Sequence, residues 1–145
     1  MTPSIERILV GVDGSDNSRR ALEWAITLAG PFGAEVIAVH AVGLLTRLDG
    51  GAPVPSHSHR DELRATFESV WCAPLAQSGV TYRTLCVDGP PVLAVLDAAS
   101  EEEADLIVLG RRGAGGFSEL MLGSTSHQVA EHSACPVFIV PPPRR

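Results

Sequence analysis

The chain has 145 residues, 45% of them hydrophobic and 19% charged, with a mean hydropathy of +0.16. That size and composition fit one domain, residues 1–145, with a core of its own, and exclude intrinsic disorder, which needs low hydrophobicity and high net charge. Eleven basic against 17 acidic residues give a net charge of −6, so the basic stripe of a duplex-binding domain is missing and nucleic acid is not an expected partner.

Ile5 to Asp13 reads as a strand that ends at a Gly-flanked Asp, and Ser15 then offers a helix N-cap. Ala21, Leu22, Ala25, Leu28 and Ala29 recur at helical spacing, and Gly30-Pro31 is expected to stop that helix. Glu35 to Ala41 is a second strand, and Gly43 to Ser58, rich in Gly, Pro, Ser and His, reads as a flexible loop. Arg60 to Ser78 predicts a second helix, kinked or shortened at Pro74 and closed by Gly79. Thr81 to Val87 is a third strand, Asp88 to Pro91 a turn, and Val92 to Glu103 a third helix with proline suited to its first turn. Leu106 to Leu109 is a fourth strand, buried on both faces because it does not alternate. Gly110 to Gly123 is a glycine-rich loop with a candidate helical turn at Phe117 to Leu122. Thr125-x-x-Gln128 has the form of a capping box for a fourth helix ending near Ser133, and Pro136 to Val140 is a fifth strand before a short tail.

Strands alternating with helices predict an α/β fold, a parallel sheet with helices on both faces. The longest apolar runs are far too short to span a bilayer, and Met1 to Glu6 lacks the plan of a signal peptide. The expectation is a soluble, cytoplasmic protein without a membrane partner. Cys72, Cys86 and Cys135 are odd in number and widely spaced, which suits reduced thiols. Cys135, before Pro136, is expected to be buried and inert.

All the basic residues are Arg. The absence of Lys excludes the Lys-dependent P-loop, a Schiff-base lysine and the phosphate-pairing lysine of a protein kinase. No G-x-S-x-G elbow supports a serine hydrolase. His57-x-His59 lacks Cys or carboxylate partners at ligand spacing, so no metal site is expected there.

The strongest feature is Gly110-x2-Gly113-x9-Gly123-Ser124, between a buried strand and a helix. Glycines let a backbone turn sharply and approach a bulky anion. The N–H groups opening the fourth helix, with the hydroxyls of Ser124, Thr125 and Ser126, suit phosphate oxygens, and the helix dipole adds roughly half a positive charge. A β-branched side chain at Gly123 would fill the phosphate's space and resist a positive φ. The plain alternative is a glycine-rich loop with no ligand. Asp13 sits at the carboxyl end of the first strand, where open α/β sheets bind ligands if strand order reverses there. Its plain alternative is a cap on the first helix, shared with Ser15.

Ile8-Leu-Val-Gly-Val-Asp-Gly-Ser15, Asp105-Leu-Ile-Val-Leu-Gly-Arg-Arg-Gly-Ala-Gly-Gly-Phe117 and Leu122-Gly-Ser-Thr-Ser-His-Gln-Val-Ala-Glu-His-Ser-Ala-Cys-Pro-Val-Phe-Ile-Val140 together resemble the universal stress protein family over nearly the whole chain. The G-x2-G-x9-G-S spacing resembles its ATP-binding branch. The resemblance implies a Rossmann-like, five-stranded parallel sheet in the order 3-2-1-4-5, which makes the first and fourth strands neighbours. It implies an adenosine end at Val12 and Asp13, with the backbone at Ala41 meeting the adenine edge. Gly110 and Gly113 would pack on ribose and phosphate, and Gly123, Ser124, Thr125 and Ser126 would bind phosphates. Arg111 and Arg112 flank the loop, as candidates to neutralise phosphate charge, and His127 lies near the phosphate-binding turn. The implied ligand is ATP, with any Mg²⁺ held by the phosphates and water, in a stress-response or signalling protein with little or no turnover. A slow ATP hydrolase and a cyclic AMP-binding relative stay open as alternatives. Relatives dimerise through the last strand, which implies a homodimer through residues 136–140.

Overall fold

Five segments extend as strands, all but the third dominated by Val, Ile and Leu: Arg7–Gly11 (β1), Glu35–Val42 (β2), Tyr82–Asp88 (β3), Leu106–Gly110 (β4) and Val137–Val140 (β5). In this computed structural model, which describes residues 2–42, 57–111 and 123–144, they form one parallel sheet in the order β3-β2-β1-β4-β5. The strand order expected from the family resemblance is the one observed. The expected loop at residues 43–58 lies outside the described residues up to 56, and so do Arg112, Gly113 and the candidate turn at 117–122.

The helices are Asp16–Phe32 (α1), His57–Thr66 (α2), Ala73–Ser78 (α3), Pro91–Glu101 (α4) and Ser124–His132 (α5). They divide between the faces. Ile8, Val10 and Val36 bury against Leu22 of α1, Phe67 and Leu75 on one side. Leu9, Ile37 and Ile107 bury against Val95 of α4 and Val129 of α5 on the other. Strands covered on both faces are apolar without alternation, as β4 is.

Four local expectations change. α1 continues through Gly30 and Pro31 and ends at Gly33, whose φ of 63° suits a left-handed cap. Pro31 costs only one rung so near the helix end. The second helix breaks upstream of Pro74, in a π-helical turn at Phe67–Trp71 where the Cys72 N–H reaches the Phe67 carbonyl at 2.9 Å. Widening that turn accommodates a ring that has no N–H to donate to the carbonyl four residues before it, and Pro74 then sits in the first turn of α3. The Thr125 capping box does not form. Gly123 is the N-cap, no side chain among the described residues caps the helix, and Thr125 is already inside α5. Finally Cys72, not Cys135, is the buried thiol. Cys135 is half-buried, with its N–H bonded to Ser133 Oγ at 3.1 Å.

At the amino ends of the central strands, Asp105 Oδ2 accepts the Glu6 and Arg7 N–H groups at 2.8 and 3.0 Å, and its own N–H donates to the Arg7 carbonyl at 2.9 Å. The carboxylate thereby fixes where β1 and β4 start. Asp105→Ala is expected to lower stability by about 1–3 kcal/mol, the usual cost of charge-assisted bonds to backbone. Urea unfolding should show a lower midpoint at unchanged slope.

Candidate functional site

β1 lies between β2 and β4, and the crossovers that follow β1 and β4 run toward opposite edges of the sheet, so a crevice opens between their carboxyl ends. Asp13, Ala41 and Gly110 all lie at that edge.

Asp13 is exposed, and its Oδ1 accepts the Ser15 N–H at 2.9 Å and the Ser15 hydroxyl at 2.5 Å. Ser15 is the N-cap of α1, its Oγ accepting the Ser18 N–H at 3.1 Å. The buried Ser18 hydroxyl in turn accepts the Asp13 N–H at 3.2 Å. The helix-cap role is therefore real. It engages one carboxylate oxygen; among the described residues nothing engages Oδ2.

Val12 and Ala41 are linked by how the β1–β2 ladder ends. Glu35 donates to the Glu6 carbonyl and the Val39 carbonyl accepts from Val12 N–H at 2.9 Å, so odd-numbered residues of β2 turn their polar groups toward β1. Val36 and Val42 bond toward β3 instead. Ala41 shares the parity of Val39 and faces the space above β1. The next regular rung would run from the Ala41 N–H to the Val12 carbonyl. That carbonyl instead accepts from His40 Nδ1 at 2.8 Å, which makes Nδ1 the protonated ring nitrogen. Among the described residues nothing takes the Ala41 N–H.

The imidazole of His40 is held by aromatic neighbours. Its centroid lies 5.6 Å from Phe67 and 5.1 Å from Trp71, the latter edge to face. Trp71 also packs over Gly14, where an added Cβ would lie 2.6 Å from the indole and where φ is +82°. Only glycine fits that turn. Neither His40 nor Trp71 stands out in the sequence as part of a site. A His two residues before a strand's end carries no local signal of such a bond.

Gly110 has a steric reason different from ligand approach: a Cβ there would lie 2.8 Å from the Asn17 carbonyl oxygen in the first turn of α1. Gly123 is buried, but its φ of −65° and ψ of 158° are open to any residue, so the positive φ expected there is not found. The Gly123 N–H donates to the Arg111 carbonyl at 2.7 Å. Ser126 is buried, and its hydroxyl bonds the Arg111 carbonyl at 2.8 Å and the Gly123 carbonyl at 3.1 Å. Its one proton thus closes the turn rather than facing an anion. The uncapped N-terminus of α5 leaves the N–H groups of Ser124 and Thr125 for that purpose. Arg111 Nε is buried and, among the described residues, without a hydrogen-bond partner. A buried cationic donor lacking an acceptor, close to an open helix N-terminus, fits an anionic ligand. His127 is exposed and lies 3.7 Å from Glu131, one turn along α5. Among the described residues no group of three or more His, Cys, Asp or Glu side chains could hold a metal ion, and no helix is long and apolar enough to cross a membrane.

Burial, with the Glu68 charge beside it, pushes the Cys72 thiol up to about 12. Burial also raises Cys86, against the opposing influence of Arg64. Since only the thiolate is nucleophilic, Cys72 should resist alkylation in the folded protein near neutral pH and become reactive in urea. Mass spectrometry of the labelled peptides checks this; native labelling of Cys72 as fast as that of Cys135 would contradict the burial.

The universal stress protein family matches residues 4–141 of the chain. Universal stress protein YxiE of Bacillus subtilis is 39% identical over 145 residues, covering 92% of this chain and 97% of its own. Universal stress protein UspA from Lactobacillus plantarum superposes with a TM-score of 0.77 over 96% of this chain and 99% of its own, at 24% identity, a likeness of fold. A universal stress protein crystallised in complex with cAMP superposes with a TM-score of 0.71 at 28% identity, over 95% of this chain and 98% of its own.

Proposed function

The chain belongs to the universal stress protein family, and on that footing we propose that it binds an adenine nucleotide, ATP above all, as a cytoplasmic stress-response or signalling protein with little or no turnover. The observation that carries this reading is the pairing of the α5 N-terminus with the buried Nε of Arg111, the first without a side-chain cap and the second without a partner among the described residues. The adenosine end lies at Val12, Asp13 and the Ala41 backbone, with Asp13 Oδ2 available to a ribose hydroxyl. The phosphates lie toward Gly123, Ser124 and Thr125, with Gly110, Arg112 and Gly113 completing the loop; ATP would carry its Mg²⁺ on its phosphates and water. Ser126 supports this turn from beneath. Turnover would need a positioned water and a base. Asp13, tied to Ser15, sits at the adenosine end, away from the phosphates. A cyclic nucleotide is the second reading, favoured by the cAMP complex of a relative.

Ultraviolet absorbance of the purified protein, then chromatography of the released ligand, separates ATP from cyclic AMP. Calorimetric titration with ATP, cyclic AMP and adenosine then ranks them. Asp13→Ala should weaken adenosine binding by about 1–3 kcal/mol, as for a lost charge-assisted hydrogen bond. Equal affinity in a folded variant would leave Asp13 as a cap alone.

The same proposal includes a twofold dimer through β5. Val137 and Ile139 turn their polar groups to the open edge, because the carbonyls of Pro136 and Val140 accept from β4 and from Arg111 N–H. Val140 is 1% exposed and belongs to the core, so charging it would test folding, not assembly. Ile139→Pro removes an outward N–H while sparing the β4 ladder. Light scattering should show a dimeric parent and a folded monomeric variant; a monomeric parent at micromolar concentration would end the idea.

A further inference from the structure

We infer that His40 is a positioning residue for the base. It stops the β1–β2 ladder one rung early and so holds the Ala41 peptide open as a donor and acceptor pair for a purine bearing a 6-amino group. The inference rests on the nucleotide reading above.

Parallel pairing is regular until Val12 N–H meets the Val39 carbonyl. The default continuation gives the Val12 carbonyl to the Ala41 N–H. The His40 Nδ1–H occupies that carbonyl at 2.8 Å and removes the default partner. Ala41 is then left with an N–H and a C=O aimed the same way, above the end of β1. Adenine presents a matching pair on its Watson–Crick edge, the N1 acceptor beside the N6 donor. Inosine presents the reverse, a donor at N1 and an acceptor at position 6, and mismatches both groups.

The arrangement needs a ring that does not rotate away, and three features hold it. Phe67, fully buried, lies against one side of the imidazole. Trp71 meets it edge to face and is itself clamped over Gly14. The π-helical turn brings both residues, four apart, to the same ring. Besides accommodating Pro74, the turn thus serves the aromatic cluster, and π-turns recur beside functional sites. The interior aromatic cluster is thus connected to the nucleotide crevice through one hydrogen bond.

Two variants separate the donor from the ring. His40→Phe keeps an aromatic ring between Phe67 and Trp71 but has no donor. His40→Asn keeps an N–H at the position of Nδ1 but loses the ring. If His40 acts through the Val12 carbonyl, His40→Phe lets Ala41 close the ladder. Adenosine affinity should then fall about tenfold, the worth of one hydrogen bond, and the preference for adenosine over inosine should shrink by a similar factor. His40→Asn should retain the preference even where it lowers stability. Amide hydrogen exchange gives a readout without ligand: the Ala41 N–H should exchange fast in the parent and in His40→Asn, and slowly in His40→Phe. A slow Ala41 amide in the ligand-free parent, or the same adenosine-to-inosine ratio in His40→Phe and the parent, overturns the inference. Failure of the parent to bind adenosine, ATP or cyclic AMP overturns the nucleotide reading instead, and the amide exchange rates still report whether His40 ends the ladder.

Discussion

The position of β1 between β2 and β4 governs the rest of the molecule. A parallel strand paired on both edges is wholly interior, and Ile8, Leu9 and Val10 are 0% exposed. Because the crossovers that follow β1 and β4 run toward opposite edges of the sheet, no helix closes the gap between the carboxyl ends of these two strands. α1 covers one face, α4 and α5 the other, and the gap between them is the crevice. Asp105 at the opposite end of the same two strands fixes their start, and with it the level at which they finish.

Close packing at that end leaves little freedom. A Cβ at Gly11 would approach Leu109 to 2.7 Å, one at Gly110 would meet the backbone of Asn17, and one at Gly14 would enter the Trp71 ring. These glycines allow α1, β4 and the aromatic cluster to meet around the crevice. They serve the scaffold first. The same close approach leaves the polar backbone of Ala41 and the opening of α5 as the groups with unspent hydrogen-bonding capacity, and such groups are where a polar ligand recovers the cost of leaving water.

The alternation of strands and helices was legible because apolar runs without polar alternation signal strands covered twice, and each is bounded by Gly, Pro or Asp. The strand order came from the family resemblance, since pairing between distant strands leaves no trace in local composition. Val12, Asp13 and Ala41 were singled out by the same resemblance, and they lie together at the carboxyl edge of β1 and β2. What remained hidden depends on distant partners. Ser126 reads like Ser124 in sequence, yet it spends its hydroxyl on Arg111, fifteen residues away. Gly123 reads as a conformational necessity and adopts an ordinary backbone. The π-turn at Phe67–Trp71 is invisible because its cause, Pro74, lies downstream and reads as an ordinary helix breaker. His40 acts through a strand that sequence places twenty-eight residues earlier.

The two edges of the sheet are guarded unequally, and this bears on assembly. At the β3 edge, Arg83 bonds both oxygens of Glu35 at 3.1 and 3.2 Å and reaches Glu102 at 2.6 Å, tying β3 to β2 and to the end of α4. Asp88, at the other end of β3, pairs with Arg60 of α2 at 2.6 Å. Charges along an edge strand discourage a second strand from pairing there, because docking would strip them of water. β5 carries no charge at all: its four residues are Val, Phe, Ile and Val, and Phe138 leans on the half-exposed Trp24 with ring centroids 5.6 Å apart. An uncharged edge with apolar side chains and outward-facing peptide groups can pair with its own copy without desolvating any charge. The contrast between a guarded and an unguarded edge in one sheet leaves β5, rather than β3, as the edge open to strand pairing.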